Sequence, residues 1–134
     1  MDTRTKILTA EAAVELPGRL AREGRSLVVV SGYFDPLVAE HARLLEQARG
    51  DAGALLVAIS KPERPLLDAR ARAELVAALA VVDYVVLPGQ EPADEFLSRI
   101  PCARLVRQEA EHDRITRDLI AHVHRRQQSN EPRP

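Results

Sequence analysis

Residues 28–45 read VVVSGYFDPLVAEHARLL, and the fold turns on how this stretch is parsed. A β-branched run, Val28 to Val30, stops at Ser31 and Gly32. A short turn carrying Asp35 and Pro36 follows, and apolar residues then return at helical spacing, with His41 in the first turn. Consecutive β-branched residues favour a buried strand, and the recurrence of His41, Leu44, Leu45 and Ala48 on one side favours a helix. A strand that ends in a glycine turn and feeds a helix is a recurrent phosphate-binding device. The backbone N–H groups of Gly32, Tyr33 and Phe34 converge beside a helix N-terminus, whose dipole adds partial positive charge. The loop from Gly32 to Asp35 is thereby nominated as an anion site, without a reaction attached to it.

Working outward, the same two patterns alternate along the chain. Runs rich in Val at 26–31, 54–60, 83–88 and 103–107 are apolar in succession and read as buried strands. Helical spacing is read at 10–22, with Pro17 marking a kink or break, and near 39–49, 69–81, 93–99 and 114–127. Alternation of this kind predicts an α/β fold: a single Rossmann-like three-layer domain with a parallel sheet of four or five strands, helices on both faces, and ligands bound outside the carboxyl ends of the strands. The domain is expected to span residues 1–127, with 128–134 as a frayed tail. No internal repeat and no separating linker is found.

Composition sets the chemical context. In 134 residues, 46% hydrophobic content suffices for a core without metal or disulfide support. Aromatic residues make up 3% and Trp is absent, which argues against a base-stacking surface for single-stranded nucleic acid. Nineteen Lys and Arg against 20 Asp and Glu give a net charge of −1, which argues against a general polyanion binder. No nucleic-acid partner is expected. Cys102, the single cysteine, has no internal partner. No signal peptide is read, and no apolar run approaches the ~20 residues of a membrane span. A cytoplasmic setting without membrane association is the expectation.

Individual residues sharpen this. His41 lies on the stripe of Leu44, Leu45 and Ala48, so it points inward towards the strand end; the bland alternative is a half-buried histidine hydrogen-bonded to backbone. Arg72 precedes Leu75 and Val76 by one turn and Leu79 by two, at the edge of a buried stripe, where an unpaired guanidinium is costly. Its partner is either a bound phosphate or a carboxylate such as Asp35 or Asp83. Lys61, in a turn, either reaches a phosphate or is merely solvated. Cys102 reads as a small core residue. His122 and His124 cannot share a ligand from one helix; with Arg125 and Arg126 they are expected to complement the negative end of the last helix.

The stretch GYFDPLVAEH resembles the G-x-F-D-x-x-H-x-G-H motif of the cytidylyltransferase-like nucleotidyltransferases, which join a nucleotide to a sugar or polyol phosphate and release pyrophosphate. Further matches follow in order: ALLVAIS resembles the second strand, RPLLDARARAELVAALAVVDYVV resembles the family's R-P and Arg-led helix ending in V-D-Y-V, and ARLVR stands where a later strand belongs. The helix before the first long strand resembles the branch that adenylylates heptose phosphate. The resemblance covers about residues 10–125. It implies that His41 and Arg72 are catalytic, that Gly32, Tyr33, Phe34, Asp35, Lys61, Thr116 and Arg117 bind nucleotide, and that CTP or ATP, Mg²⁺ and a phosphorylated small molecule are the partners. It also admits a homodimer.

Departures from the pattern are as informative. Where the family has two histidines and a glycine, this chain has Val38, His41 and Glu40. Valine neither donates a hydrogen bond nor carries charge, and losing such a donor typically costs ~10²–10³ in rate. Glu40 adds bulk and negative charge where the nucleotide approaches. After ARLVR the chain is short, only Thr116 and Arg117 partly match the family's triphosphate grip, and Glu109, Glu111 and Asp113 repel a triphosphate unless a divalent metal bridges them. Three readings follow: a divergent nucleotidyltransferase with impaired activity, a non-catalytic nucleotide-binding relative, or an interaction subunit with a closed pocket. The space beside Val38 and Glu40 separates them.

Overall fold

Val-rich segments with no polar interruption build the centre of the molecule. The computed structural model describes residues 1–130. In it β2 (Leu27–Gly32) and β3 (Ala54–Ile59) are buried at every position, as strands covered on both faces must be. They run parallel, with Val28 opposite Leu55 and Gly32 opposite Ile59. β4 (Tyr84–Val86) pairs with the outer side of β3, and β5 (Arg104–Arg107) with the other side of β2. A two-residue strand, β1 (Ile7–Leu8), adds to β4. The order is β1-β4-β3-β2-β5, all parallel.

Side-chain alternation divides the core in two. On one face Val28, Val30, Leu55 and Val57 pack with Leu45 and Ala48 of α2 (Ala39–Arg49) and with Ala73, Val76 and Ala77 of α3 (Ala69–Ala77). On the other, Leu27, Val29, Ala54 and Leu56 pack with Ala13, Leu16 and Leu20 of α1 (Ala10–Arg22) and with Phe96 and Leu97 of α4 (Ala93–Ser98). Thr9 caps α1 by accepting the Ala12 N–H at 3.1 Å, and Asp68 caps α3 by accepting that of Ala71 at 2.7 Å. The three-layer α/β domain with a parallel sheet is as the alternation predicts, with five strands.

Several elements differ from expectation. β1 is too short to carry a periodic signal; it is tied down by the Lys6 ammonium, which donates to the carbonyls of Val82 (2.7 Å) and Leu79 (3.1 Å). Pro17 neither breaks nor ends α1, because the burial of Ala13, Leu16 and Leu20 outweighs one lost backbone hydrogen bond. α3 stops at Ala77 instead of reaching 81. The run at 103–107 is no buried strand: β5 is a sheet edge, and Leu105 is 43% exposed. The last helix, α5 (Glu109–Asn130), begins five residues before the expected 114. It also continues through 128–130, where fraying was expected; residues 131–134 lie outside the described residues. His122, His124, Arg125 and Arg126 therefore do not close the helix, whose last turn carries no basic residue.

Candidate functional site

The chain reverses its direction of winding between β2 and β5, and the carboxyl ends of β2, β3, β4 and β5 surround the expected ligand position. Two compartments meet there, one filled and one open, and Tyr33 borders both.

The filled compartment is the Gly32 turn. Phe34, at φ +50°, bends the backbone so that two consecutive N–H groups face the same atom. That atom belongs to the protein itself: His112 Nδ1 accepts from Tyr33 N–H at 2.9 Å and from Phe34 N–H at 3.4 Å. The expected anion cradle is thus occupied by an imidazole from the first turns of α5. The approach requires Gly32, since a Cβ there would lie 2.2 Å from His112 Cε1.

His41 points inward, as its helical phase requires, and is fully buried. Its Nδ1 accepts the Val38 N–H at 3.0 Å, so the neutral ring carries its proton on Nε2. That Nε2 is the one buried side-chain polar atom among the described residues with no hydrogen-bond partner. The His41 and His112 rings stand nearly perpendicular with centroids 4.5 Å apart, and Phe34 packs edge-on against His112 at 4.5 Å. Burial lowers the pKa of His41; burial and then the neighbouring His41 push that of His112 down to about 3. Both rings are neutral at physiological pH. Val38 supplies no side-chain cap to α2, and Glu40 turns away to pair with Arg114 of α5 at 2.8 Å.

The open compartment is a cavity of about 700 Å³, lined by Tyr33, Ser60, Lys61, Arg72, Arg107 and Glu109 among others. Arg72 is almost completely buried, but neither expected carboxylate holds it. Its Nη1 donates to the carbonyls of Ser60 (2.7 Å) and Tyr33 (3.0 Å), and its Nε to that of Leu67 (3.1 Å). Asp35 instead accepts the N–H groups of Leu66 and Leu67, and Asp83 accepts the N–H of Leu55 and pairs with Arg49. Carbonyls neutralise no charge, so the guanidinium brings a positive charge to the cavity wall. Burial works against that charge, and Asp35 and Asp68 offset part of the effect at longer range. Lys61 is exposed at the cavity margin.

Glu109, the first residue of α5, accepts hydrogen bonds from Ser31 Oγ (3.0 Å) and Ser60 Oγ (2.7 Å) and lies 3.4 Å from Arg107 Nε. Burial raises its pKa, but the two serines and Arg107 more than reverse this and hold the carboxyl below its ordinary range. Arg107 also donates to Ser31 Oγ at 2.8 Å and pairs with Asp94. Thr116 makes only a marginal 3.5 Å contact with the Asp35 carbonyl, and Arg117 is exposed on α5 away from the cavity. Cys102 is half-buried against the α1–α4 core, as a small packing residue.

His112 is not legible from a helix that begins at 114, where the apolar periodicity starts. Extending the helix back to Glu109 puts His112, Ile115, Thr116 and Leu119 on one face, at spacings of three and four. Among the described residues no group of three or more His, Cys, Asp or Glu side chains is placed to hold a metal ion, and no helix is long and apolar enough to cross a membrane.

The comparisons with known proteins agree with this architecture. No protein-family model matches the chain. Curated relatives called bifunctional protein HldE do. The one from Koribacter versatilis is 38% identical across 63% of this chain and 19% of its own length. Those from Rhodopseudomonas palustris and Trichlorobacter lovleyi are 35% and 30% identical across 76% and 79% of this chain, each over 23% of the relative. The chain thus spans about a fifth of the length of these relatives. Among solved structures, a lipopolysaccharide core biosynthesis protein from Thermoplasma volcanium superposes with a TM-score of 0.56 at 21% identity. The match covers 61% of this chain and 73% of that one, a likeness of fold.

Proposed function

We propose that this chain, which belongs to the cytidylyltransferase-like nucleotidyltransferases, binds a sugar or polyol phosphate in the open cavity and transfers nucleotide from ATP or CTP only far below an ordinary member's rate. The observation that carries this reading is the occupation of the Gly32 turn by His112: the donors that face a triphosphate in the family's pattern already have an acceptor. Valine at 38 removes one imidazole, and Glu40 is committed to Arg114. What stays available is a buried arginine with no carboxylate partner, a lysine at the rim, and hydroxyl and carboxylate groups suited to polyol hydroxyls. An arginine so placed binds a phosphate monoester without moving.

The resemblance of the helix before the first long strand to the branch that adenylylates heptose phosphate supports ATP over CTP and a heptose-type phosphate as the acceptor. In residual transfer Arg72 orients the phosphoryl group and the backbone N–H groups that His112 holds contribute nothing. The described residues do not fit a resident Mg²⁺, since Glu109 is already hydrogen-bonded by two serines. Magnesium would come only as part of the nucleotide substrate, where it would supply charge neutralisation on the phosphates. The test pairs calorimetric titration of a heptose phosphate, ATP–Mg²⁺ and CTP–Mg²⁺ with a pyrophosphate-release assay. Binding of the sugar phosphate, lost in Arg72→Met, and turnover at least ~10²-fold below the ~1–10³ s⁻¹ of ordinary enzymes are expected. Turnover within that ordinary range overturns the reading.

A further inference from the structure

The boundary between the filled and open compartments runs through one residue. The N–H of Tyr33 donates to His112, while the carbonyl of Tyr33 accepts from Arg72, which lines the cavity. An anion held by Arg72 that extends past Tyr33 meets the Gly32 turn, whose donors are Tyr33 N–H and Phe34 N–H, with the unpartnered Nε2–H of His41 on the ring packed against His112. That Nε2 is buried without an acceptor, an arrangement that is costly in a structure with no use for it. Both nitrogens of His112 are engaged: Nδ1 by the two backbone groups, and Nε2 at 3.3 Å from Gln108 Oε1. Gln108 is fixed in turn by donating to the Leu44 carbonyl at 3.2 Å.

We propose that His112 is a specificity-determining residue: its ring stands in for an anion in the donor cradle of Tyr33, Phe34 and His41, so that the neighbouring cavity seats a single phosphoryl group and gives the rest of a polyphosphate no hold. This rests on the reading of the open cavity as a phosphate site and adds to it the residue that sets the length of the ligand. An imidazole nitrogen satisfies the two N–H groups as a phosphate oxygen does, but it brings no negative charge and leaves the His41 donor unmet. Nothing else packed in the cradle competes for it, because the Phe34 ring has no acceptor atom. The helix carrying His112 is also held by Glu109 to the two serines and by Arg114 to Glu40, ties that do not pass through the ring, so removing it leaves α5 anchored.

The experiment follows inorganic phosphate and inorganic tripolyphosphate binding by ¹H–¹⁵N spectra of the full chain, with His112→Ala, His112→Asn and Arg114→Ala beside the unmodified protein. Signals of Lys61 and the Arg72 side chain report the cavity; the amides of Tyr33 and Phe34 and the ring nitrogens of His41 report the cradle. In the unmodified protein both ions are expected to move the cavity signals alone. In His112→Ala tripolyphosphate is expected to bind at least tenfold tighter and to shift the cradle signals, with a gain for phosphate of at most twofold. His112→Asn, which keeps an acceptor near the Nδ1 position, is expected to show no such gain. Should His112→Ala not fold, Arg114→Ala loosens the same turn from the surface and is expected to gain two- to fivefold for tripolyphosphate. Cradle signals that stay fixed in a folded His112→Ala protein, equal gains for both ions, or tripolyphosphate already seated in the cradle of the unmodified protein would overturn the assignment. Silent Lys61 and Arg72 signals in every protein would instead sink the phosphate reading of the cavity.

Discussion

The room a side chain on Gly32 would fill belongs to His112, whose Cε1 lies 2.2 Å from an ideal Cβ there. Gly32→Ala is therefore expected to destabilise the fold by about 1–3 kcal/mol, the usual range for overpacking. The loss should shrink by more than half in a His112→Ala background, because the two positions share one volume; additive losses in urea unfolding would show that the strain lies elsewhere. The two buried histidines also set a pH dependence. His112 has a folded pKa of about 3 and His41 is likewise lowered, whereas in the unfolded chain both titrate near ~6.5. The unfolded state then binds more protons, so their contribution is complete above about pH 6.5 and declines as pH falls, by up to ~1.4 kcal/mol per unit for His112 towards pH 3, with His41 acting in the same direction. Carboxylates with lowered values, Glu40 and Glu109, act below about pH 4.5. Urea midpoints at pH 7.5 and 5.0 should thus differ, and His112→Phe should flatten the difference; a flat profile in the unmodified protein would contradict the neutral imidazole pair.

At the scale of elements, α1 and α5 show tertiary packing overruling local signals in opposite directions. Pro17 lies inside α1, where it removes a backbone hydrogen bond and crowds the preceding turn, yet the helix runs unbroken because Ala13, Leu16 and Leu20 are buried against Leu27, Val29 and Leu56. Each buried leucine contributes ~1.5–3 kcal/mol, enough to offset the ~3 kcal/mol of an interior proline. Pro17→Ala is accordingly expected to stabilise the protein by about 1–3 kcal/mol, read as a rise in the thermal midpoint; no rise would mean that α1 already relieves the strain. In α5 the apolar periodicity begins only near 114, because the acidic segment 109–113 carries no apolar stripe. Placed directly after β5 it becomes the first turn, where Glu109 and Glu111 sit favourably at the positive end of the helix dipole. That shift of five residues delivers His112 to the Gly32 turn and Glu109 to Ser31 and Ser60.

For the whole molecule, the filled cradle and the altered motif make one statement about activity. Val38→His with Glu40→Gly restores the family's pattern on α2 but leaves His112 where it is, so pyrophosphate release from ATP in the presence of a heptose phosphate is expected to stay near background. Adding His112→Ala should raise it by at least tenfold. A double variant as fast as the triple one would mean that His112 is no obstacle.

The parallel α/β domain, the strand-turn-helix at 28–45, the inward direction of His41 and the buried edge position of Arg72 are legible in the order of residues alone. These follow from unbroken β-branched runs and from the 3.6-residue helical repeat, which are properties of neighbouring residues. That β5 is an exposed edge, that Arg72 rests on three carbonyls and that His112 sits in the Gly32 turn emerges only once the sheet is assembled. Tyr33 and His112 are 79 residues apart, and what faces what over that separation depends on strand order and on where a helix begins. Those are set by the packing of the complete sheet, to which no local pattern has access.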